Sequence, residues 1–328
     1  MSMEFQKNKK QMSASGRTQT GSSSDFLQKT IVVWAGALIC CALWGSAFPC
    51  VKIGYRLMQI DASDTAALIL FAGTRFTLAG VLAILLGSLL QRKWLVPSAK
   101  AIPKVIGLSM LQTVLQYLFF YIGLAHASGV NASIIEGLNV FVAILVAGLL
   151  FHQEQVTARK LLGCLIGFAG LVVVTLSGGS LGGLALNGEG FIFLSTLAYA
   201  FSSVVLKRLS KTENPVMLSG WQFVAGGLIM VGCGLLMGGH LNQPDPAGVG
   251  MLFWLAMVSA VAYSLWGILL KHNPISRVAV FGFMNPVFGV ILSAWLLEEA
   301  DSVGISAILS LLLVCIGIYI CNSGGEQA

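Results

Sequence analysis

The chain has few charged residues. They make up 10% of its 328 residues, whereas hydrophobic residues make up 56%, and soluble domains carry about 25% charged residues. A soluble fold of this length needs more polar surface than the sequence supplies, so most of the exterior is expected to face lipid. The formal net charge is +6, but the basic residues form no single arm or domain. This distribution argues against a nucleic-acid-binding protein.

Motifs for several kinds of chemistry are also missing. The sequence contains no Gly-Lys-Ser/Thr phosphate-binding loop, which argues against ATP-driven transport. Its seven cysteines lie within apolar segments, without the spacing of a metal site or a disulfide framework, and are interpreted as small packing residues. No cofactor or metal is therefore expected. Neither rings of repeated charges nor a filter-like sequence is evident, and this disfavours a channel.

Ten long apolar stretches account for most of the chain. A transmembrane helix needs about 20 apolar residues, and we predict ten such helices at residues 31–55, 66–90, 102–125, 129–151, 160–177, 188–209, 216–238, 247–270, 276–297 and 303–321. The predicted fold is an all-α membrane protein. Residues 1–30 are polar and rich in Ser, Gln and Lys, which is typical of a disordered tail.

The basic residues predict how the helices are oriented. All of the 19 Lys and Arg residues except Lys52, Arg56 and Arg75 fall on one side of the predicted membrane. Positive residues accumulate in cytoplasmic loops, so both termini are predicted to be cytoplasmic. We therefore expect a multi-pass integral protein of the cell (plasma) membrane with a cytoplasmic tail at residues 1–30.

The ten helices fall into two similar sets of five, at residues 31–178 and 188–322. Because five is odd, the second set must enter the membrane from the opposite side, as in the inverted repeats of secondary transporters. Similar residues recur at corresponding positions of the two sets. The matched pairs are Trp44 and Tyr199, Lys52 and Lys207, Arg75 and Gln222, Phe76 and Phe223, Tyr117 and Tyr263, His126 and His272, and Asn139 and Asn285.

Several short motifs follow one another in an order that is typical of one superfamily. They are residues 42–52 (ALWGSAFPCVK), Arg75-Phe76, residues 123–133 (GLAHASGVNAS), Glu154 with Gly163 and Gly170, and in the second half Asn285-Pro286 and Glu298-Glu299. In order and duplication they resemble the drug/metabolite transporter (DMT) superfamily, in its EamA-type ten-helix branch. The chain departs from that pattern at Val140, where a proline is frequent, and at Glu136, where an apolar residue is usual. The resemblance implies export of a small metabolite from a shared cavity.

Three of the charged residues within the predicted helices, Lys52, Arg75 and Glu136, are candidates for a functional role. A charge in the hydrocarbon layer costs roughly 3 kcal/mol on insertion scales, so a partner or an aqueous cavity has to offset it. We interpret Glu136 as a proton-coupling group or a contact for a substrate amine, with a structural ion pair as the alternative. For Arg75 two roles are open, binding of an anionic substrate and a structural contact. For Lys52 a structural or gating role is favoured over direct substrate binding.

Uncharged polar and aromatic residues complete the candidate site. Gln112 and Gln116 are four residues apart and share a helix face; with Tyr117 they either line a cavity or hydrogen-bond between helices. Pro286 removes a backbone donor beside Asn285 and is expected to kink that helix. The other candidates are Asn139 and the aromatic residues Trp44, Tyr263 and Trp266, which are interpreted as cavity walls or as packing residues. Glu154 and Glu298-Glu299 are interpreted as solvated interfacial carboxylates or gate-side ion pairs.

The predicted function is secondary active transport by alternating access around a site near the midplane. The resemblance implies export of a small polar metabolite such as an amino acid, and no enzymatic activity. A nucleotide-sugar or organophosphate exchanger is the main alternative, but it needs several cavity cations and only Arg75 and Lys52 are available. An intramembrane enzyme would need a pair such as Glu136 with His126, which lies near the membrane surface. The expected partners are a small-molecule substrate and the lipid bilayer; protons and a homodimer are left open.

Overall fold

The computed structural model describes residues 25–61, 63–124, 126, 135–177, 186–241, 246–296 and 305–323. Within these ranges there are ten helices of more than two turns and no strand, so the all-α prediction is confirmed. The helices are α1 (Thr30–Leu57), α2 (Thr65–Leu90), α3 (Ile102–Leu124), α4 (Ile135–Leu150), α5 (Ala158–Ser177), α6 (Leu186–Ser210), α7 (Pro215–Leu236), α8 (Pro246–His272), α9 (Ile275–Ala279, Val280–Phe283 and Met284–Leu296 in succession) and α10 (Ile305–Asn322). Most of the predicted disordered tail, residues 1–24, lies outside the described residues.

Six of these helices are long and apolar enough to cross a membrane: α1, α2, α3, α6, α7 and α8. The apolar parts of α4, α9 and α10 are shorter, and α5 begins with the basic pair Arg159-Lys160. Large hydrophobic side chains cover the outside of the bundle, among them Leu90, Trp295 and Ile305, which are more than three-quarters exposed. An exterior of this kind fits lipid as the surrounding medium.

Four of the helices are locally irregular. Met110–Leu115 of α3, Val146–Leu150 of α4 and Leu186–Gly190 of α6 are π-helical, and Val280–Phe283 of α9 is a 3₁₀ turn. Pro286 follows that turn and has no N–H to donate to the carbonyl of Gly282, so α9 cannot be a regular α-helix there. Such interruptions are frequent at functional sites.

Helices α2 and α7 cross with almost no side-chain volume between them. A Cβ placed on Gly73 would lie 2.9 Å from the Gly227 oxygen, and one placed on Gly80 would lie 2.5 Å from the Gly220 oxygen. The residue numbers rise along one helix as they fall along the other, so the two helices are antiparallel. Since α2 and α7 hold the same place in the two sets of five, the two halves are inverted with respect to each other.

The remaining helix pairs follow the same two-fold relation. Helices α5 and α10 are antiparallel and approach at Gly163 and Gly317, and again at Gly170 and Ser310. Helix α1 of the first half packs on α8 and α9, whereas α6 of the second half packs on α3 and α4. Each half therefore places its first helix against the third and fourth helices of the other. This exchange brings α1, α3, α4, α6, α8 and α9 around one centre.

Candidate functional site at the centre of the bundle

Four aromatic rings, two from each half, meet at the centre; we call Phe76, Tyr117, Phe223 and Tyr263 the aromatic quartet. The Phe76 and Phe223 rings are stacked, with centroids 5.1 Å apart and an interplanar angle of 6°. The Tyr117 and Tyr263 hydroxyls share a hydrogen bond of 2.8 Å. Each tyrosine also contacts the phenylalanine of its own half, at 4.4 Å for Tyr117 and 4.8 Å for Tyr263. Residues that correspond in sequence thus touch each other in space.

Two tryptophans extend the quartet towards α1. The Trp44 ring of α1 lies edge-on to Tyr263, at 5.1 Å between centroids, and to Trp266, at 5.0 Å. The Trp44 indole nitrogen is buried and has no hydrogen-bond partner. The structure therefore brings together three of the aromatic residues that the sequence singled out, and one of them presents a free donor.

Arg75 places a positive charge beside the quartet. It is only 6% exposed, and its guanidinium carbon lies 4.4 Å from the Phe76 ring centroid. It is close enough to Tyr117 and Tyr263 to act on both electrostatically, while its Nε has no hydrogen-bond partner. A guanidinium remains charged at all ordinary pH values. The centre thus holds a permanent cation with an unused donor.

Glu136 brings a carboxyl group to the same region. It lies in the first described turn of α4, is half-buried, and is close enough to Tyr117 to act on it electrostatically. The helix is interrupted at Leu138 and becomes regular from Asn139, which is also half-buried. Arg75 and Glu136 therefore both act electrostatically on Tyr117, with opposite charges and from different helices.

Amide groups on α3, α7 and α9 also carry buried, unpaired atoms. Gln112 and Gln116 are 1% and 9% exposed, and the Oε1 atom of each has no hydrogen-bond partner among the described residues. Gln222 accepts a hydrogen bond of 2.5 Å from the Thr113 hydroxyl, yet its Nε2 has no partner, and neither has Oδ1 of Asn285. An unpaired buried polar atom costs about 1–3 kcal/mol, and most such atoms in native proteins are satisfied.

Within the part of the chain that the structure describes, we call six of these unpaired buried atoms the open polar set. It consists of three donors and three acceptors: Trp44 Nε1, Arg75 Nε, Gln222 Nε2, Gln112 Oε1, Gln116 Oε1 and Asn285 Oδ1. They come from α1, α2, α3, α7 and α9, and so from both halves. A polar solute or water that bound among them would satisfy atoms that the protein itself leaves unsatisfied.

The comparisons with known proteins agree with this architecture. The model of the EamA-like transporter family matches residues 31–176 and 186–323. The chain belongs to the EamA-like transporter family. The resemblance noted from the sequence motifs is thereby confirmed, and the protein is a multi-pass membrane transporter.

Relatives of this transporter cover nearly its whole length. It is similar to an uncharacterized transporter of Archaeoglobus fulgidus, with 28% identity over 88% of this chain and 97% of that protein. It is also similar to a probable amino-acid metabolite efflux pump of Escherichia coli K12, with 28% identity over 87% of this chain and 92% of that protein. A solved crystal structure matches with a TM-score of 0.73 and 16% identity, covering 88% of this chain and 95% of that chain, which shows the shared fold.

Charge is distributed unequally between the two halves of the transporter. Arg75 corresponds to the neutral Gln222, and the offset that pairs Asn139 with Asn285 pairs Glu136 with Gly282. Both charged groups near the quartet therefore come from the first half. A site built in this way is asymmetric although its scaffold is two-fold, so it favours one orientation of a bound solute.

One candidate lies apart from the others. Lys52 is exposed on α1, and no contact described within the quartet or the open polar set involves it. Conversely, Phe76, Phe223 and Gln222 were not among the candidates, although repeat matching had paired all three. The match between the two repeats could have identified them. Where equivalent helices cross at the two-fold axis, equivalent residues of the two halves come into contact.

The surface of the transporter also carries an open pocket of about 620 Å³ at the turn between α4 and α5. It is lined by that turn itself: Gly148, Leu149, His152, Gln153, Glu154, Gln155 and Val156. None of the quartet or the open polar set lines it. We therefore place the candidate site at the centre of the bundle and not in this pocket.

Proposed function

We propose that the protein is a secondary active transporter that exports a small polar metabolite, an amino acid or a related compound, by alternating access. The observation that carries this proposal is the open polar set, which offers buried, unpaired donors and acceptors from both inverted halves. The name of the Escherichia coli relative, a probable amino-acid metabolite efflux pump, supports the substrate class. In this proposal residues 31–178 and 188–322 are the two repeats, which rock about the site.

The charged groups suggest how such a substrate is held. Arg75 supplies donors for a carboxylate, and Glu136 supplies an acceptor for an ammonium group. The amides of the open polar set bind the remaining polar atoms, and the quartet with Trp44 and Trp266 forms an apolar wall. Glu136 is also the group we assign to proton coupling, because it is the carboxyl group near the quartet. From the distribution of the basic residues we further propose that both termini are cytoplasmic, and we propose the plasma membrane as the location.

Transport by reconstituted vesicles tests the proposal. Uptake and efflux are measured for amino acids, sugars and nucleotides, with and without a pH gradient. We expect the wild-type protein to show amino-acid efflux. Arg75→Gln, which introduces the residue found at the matched position Gln222, is expected to lower this efflux at least tenfold, since it removes the central cation. Glu136→Gln is expected to abolish the response to the pH gradient.

A matched control comes from the surface of the bundle. Glu213→Gln removes the charge of an exposed ion pair, in which Lys104 Nζ lies 3.4 Å from Glu213 Oε1. This variant is expected to leave efflux unchanged. An unaltered pH response in Glu136→Gln would remove the proton role. If only phosphorylated compounds moved, the organophosphate exchanger would replace the proposed function.

A further inference from the structure

The end of the bundle where α1 begins and α10 ends is joined by polar contacts; we call it the termini face. Arg277 at the start of α9 donates to the Thr30 hydroxyl at the start of α1, at 3.0 Å. The Cys321 thiol at the end of α10 donates to the Ser276 carbonyl, at 3.6 Å. The α4–α5 turn lies at the same place, because Glu154 in that turn contacts Ser276. Helices of both halves thus converge here.

Glu154 joins the two halves through two groups of Ser276, and it also pairs with Lys160 of its own half. One carboxylate oxygen, Oε1, accepts a hydrogen bond of 3.0 Å from the Ser276 backbone N–H. The other, Oε2, accepts from the Ser276 hydroxyl at 2.7 Å and lies 3.4 Å from the Lys160 ammonium. We call Glu154, Lys160 and Ser276 the latch. The Glu154 side chain is only 4% exposed, so it is not the solvated interfacial carboxylate that was one interpretation of the sequence.

The latch differs from the other contacts between halves that are described on this face. The Lys104–Glu213 pair is an exposed surface contact, with side chains 41% and 19% exposed. Gln153 donates to the Val204 carbonyl, at 3.4 Å, as a neutral group. Hydrogen bonds to a buried carboxylate are stronger than those between neutral groups. Among the described residues, the latch is therefore the buried charged contact that joins the halves at this end.

The latch acts on the helix that carries part of the site. Ser276 lies in the first segment of α9, Ile275–Ala279, which a 3₁₀ turn separates from the segment that contains Asn285. The turn that holds Glu154 leaves no room for a side chain at Gly148, since a Cβ there would lie 3.0 Å from the Glu154 carbonyl oxygen. The Glu154 carboxylate thus holds the first of the two α-helical segments that the 3₁₀ turn of α9 separates.

We propose that Glu154 is a positioning residue of the transport cycle. Its carboxylate holds the first segment of α9 against the α4–α5 turn and so keeps the termini face closed. Release of Ser276 from Glu154 lets that segment move and opens a path from the termini face to the quartet. The inference rests on the proposed alternating access, and it assigns to one carboxylate the contact that has to break at this end.

A native thiol reports on the latch without any substrate. Cys321 is 6% exposed and bonds to Ser276, whereas Cys315 on the same helix is exposed. The purified full-length protein is treated with a polar maleimide, and labelling of each cysteine is followed by mass spectrometry. We expect Glu154→Ala to raise the labelling rate of Cys321 at least fivefold relative to that of Cys315.

Three further variants sharpen the result. Glu154→Gln retains an acceptor for Ser276 and is expected to restore most of the protection of Cys321. Ser276→Ala removes the hydroxyl donor alone and is expected to give a smaller rise than Glu154→Ala. Glu213→Gln, the matched carboxylate on the same face, is expected to leave the labelling of Cys321 unchanged.

Wild-type labelling of Cys321 in Glu154→Ala would overturn the proposal. If Glu154→Ala unfolds globally, Cys40 and Cys41, which are fully buried in the core, will be labelled as well. In that case the labelling of Cys321 in Glu154→Gln is compared with that in Ser276→Ala to test the latch. The labelling experiment involves no substrate, so the two proposals can fail separately. If Cys321 becomes accessible in Glu154→Ala but the protein transports nothing, the latch proposal stands and the proposed function is rejected. If the protein transports amino acids but the labelling of Cys321 does not change, the proposed function stands and the latch proposal is rejected.

Discussion

At the residue scale, the hydrogen bond between Tyr117 and Tyr263 joins the two halves at their centre. Its hydroxyl oxygens are 2.8 Å apart, and the two rings pack against the fully buried Phe76 and Phe223. Each hydroxyl satisfies the other. Removing one therefore leaves its partner buried without a hydrogen bond, which costs more than the bond itself contributes.

This leads to a prediction for a double-mutant cycle. Tyr117→Phe and Tyr263→Phe are each expected to lower the free energy of unfolding by about 1–2 kcal/mol, because each leaves one orphaned hydroxyl. The double variant is expected to lose less than the sum of the two, since no orphan remains. Chemical unfolding in detergent micelles measures these values. Tyr319→Phe, at an exposed position, serves as the control, and strictly additive losses would contradict the contact.

Sequence reasoning reached part of the site at this scale. Matching the repeats paired Tyr117 with Tyr263 and Phe76 with Phe223, and the structure shows that both pairs touch. The matching could not predict the open polar set, because whether an atom is satisfied depends on its neighbours in three dimensions. Gln222, for example, owes its one bond to Thr113, which lies on a different helix of the other half.

At the element scale, the antiparallel contact of α2 with α7 depends on glycine. A Cβ on Gly73 would lie 2.6 Å from the Val231 nitrogen and 2.9 Å from the Gly227 oxygen. Both are backbone atoms, which cannot turn aside as a side chain does. Without a Cβ at Gly73, the two backbones approach closely, as in other membrane helix pairs.

Alanine substitutions test this contact. Gly73→Ala is expected to force α2 and α7 apart and to lower the free energy of unfolding by about 1–3 kcal/mol. Gly232→Ala, on α7, is the matched control, because a Cβ there meets nothing within 4 Å and alanine favours helix. Unfolding in detergent micelles compares the two variants. Equal stabilities would show that the close approach is not required.

The sequence located the helices better than it described their interiors. The ninth helix was predicted at residues 276–297 and runs to Leu296. The first extends to Leu57, so Arg56 lies in its last turn and not in a loop. The π-helical stretch Met110–Leu115 had no signal, because no residue pattern specifies an i→i+5 hydrogen bond. Such a stretch also changes the helical period, so the spacing of Gln112 and Gln116 alone does not fix a common face.

At the scale of the whole molecule, an odd number of helices per repeat was enough to predict inversion. The antiparallel pairs α2–α7 and α5–α10, and the exchange of partners between α1 and α6, show the inversion directly. The charges do not follow the two-fold relation, since Arg75 and Glu136 both belong to the first half. A scaffold with inverted two-fold symmetry therefore carries an asymmetric distribution of charge at its centre.

The orientation of the scaffold in the membrane gives the final prediction. The α1–α2 turn contains the exposed Ser63, and the α2–α3 turn contains the exposed Lys93. Because α2 spans the bilayer between them, Ser63→Cys is expected to react with an impermeant maleimide on intact cells, and Lys93→Cys only after permeabilisation. Ser323→Cys, at the end of α10, should behave like Lys93→Cys. The unaltered chain is the control, since its own cysteines lie within helices. Labelling of Ser63→Cys and Lys93→Cys from the same side would contradict the threading of α2, and a full reversal would place the latch outside the cell.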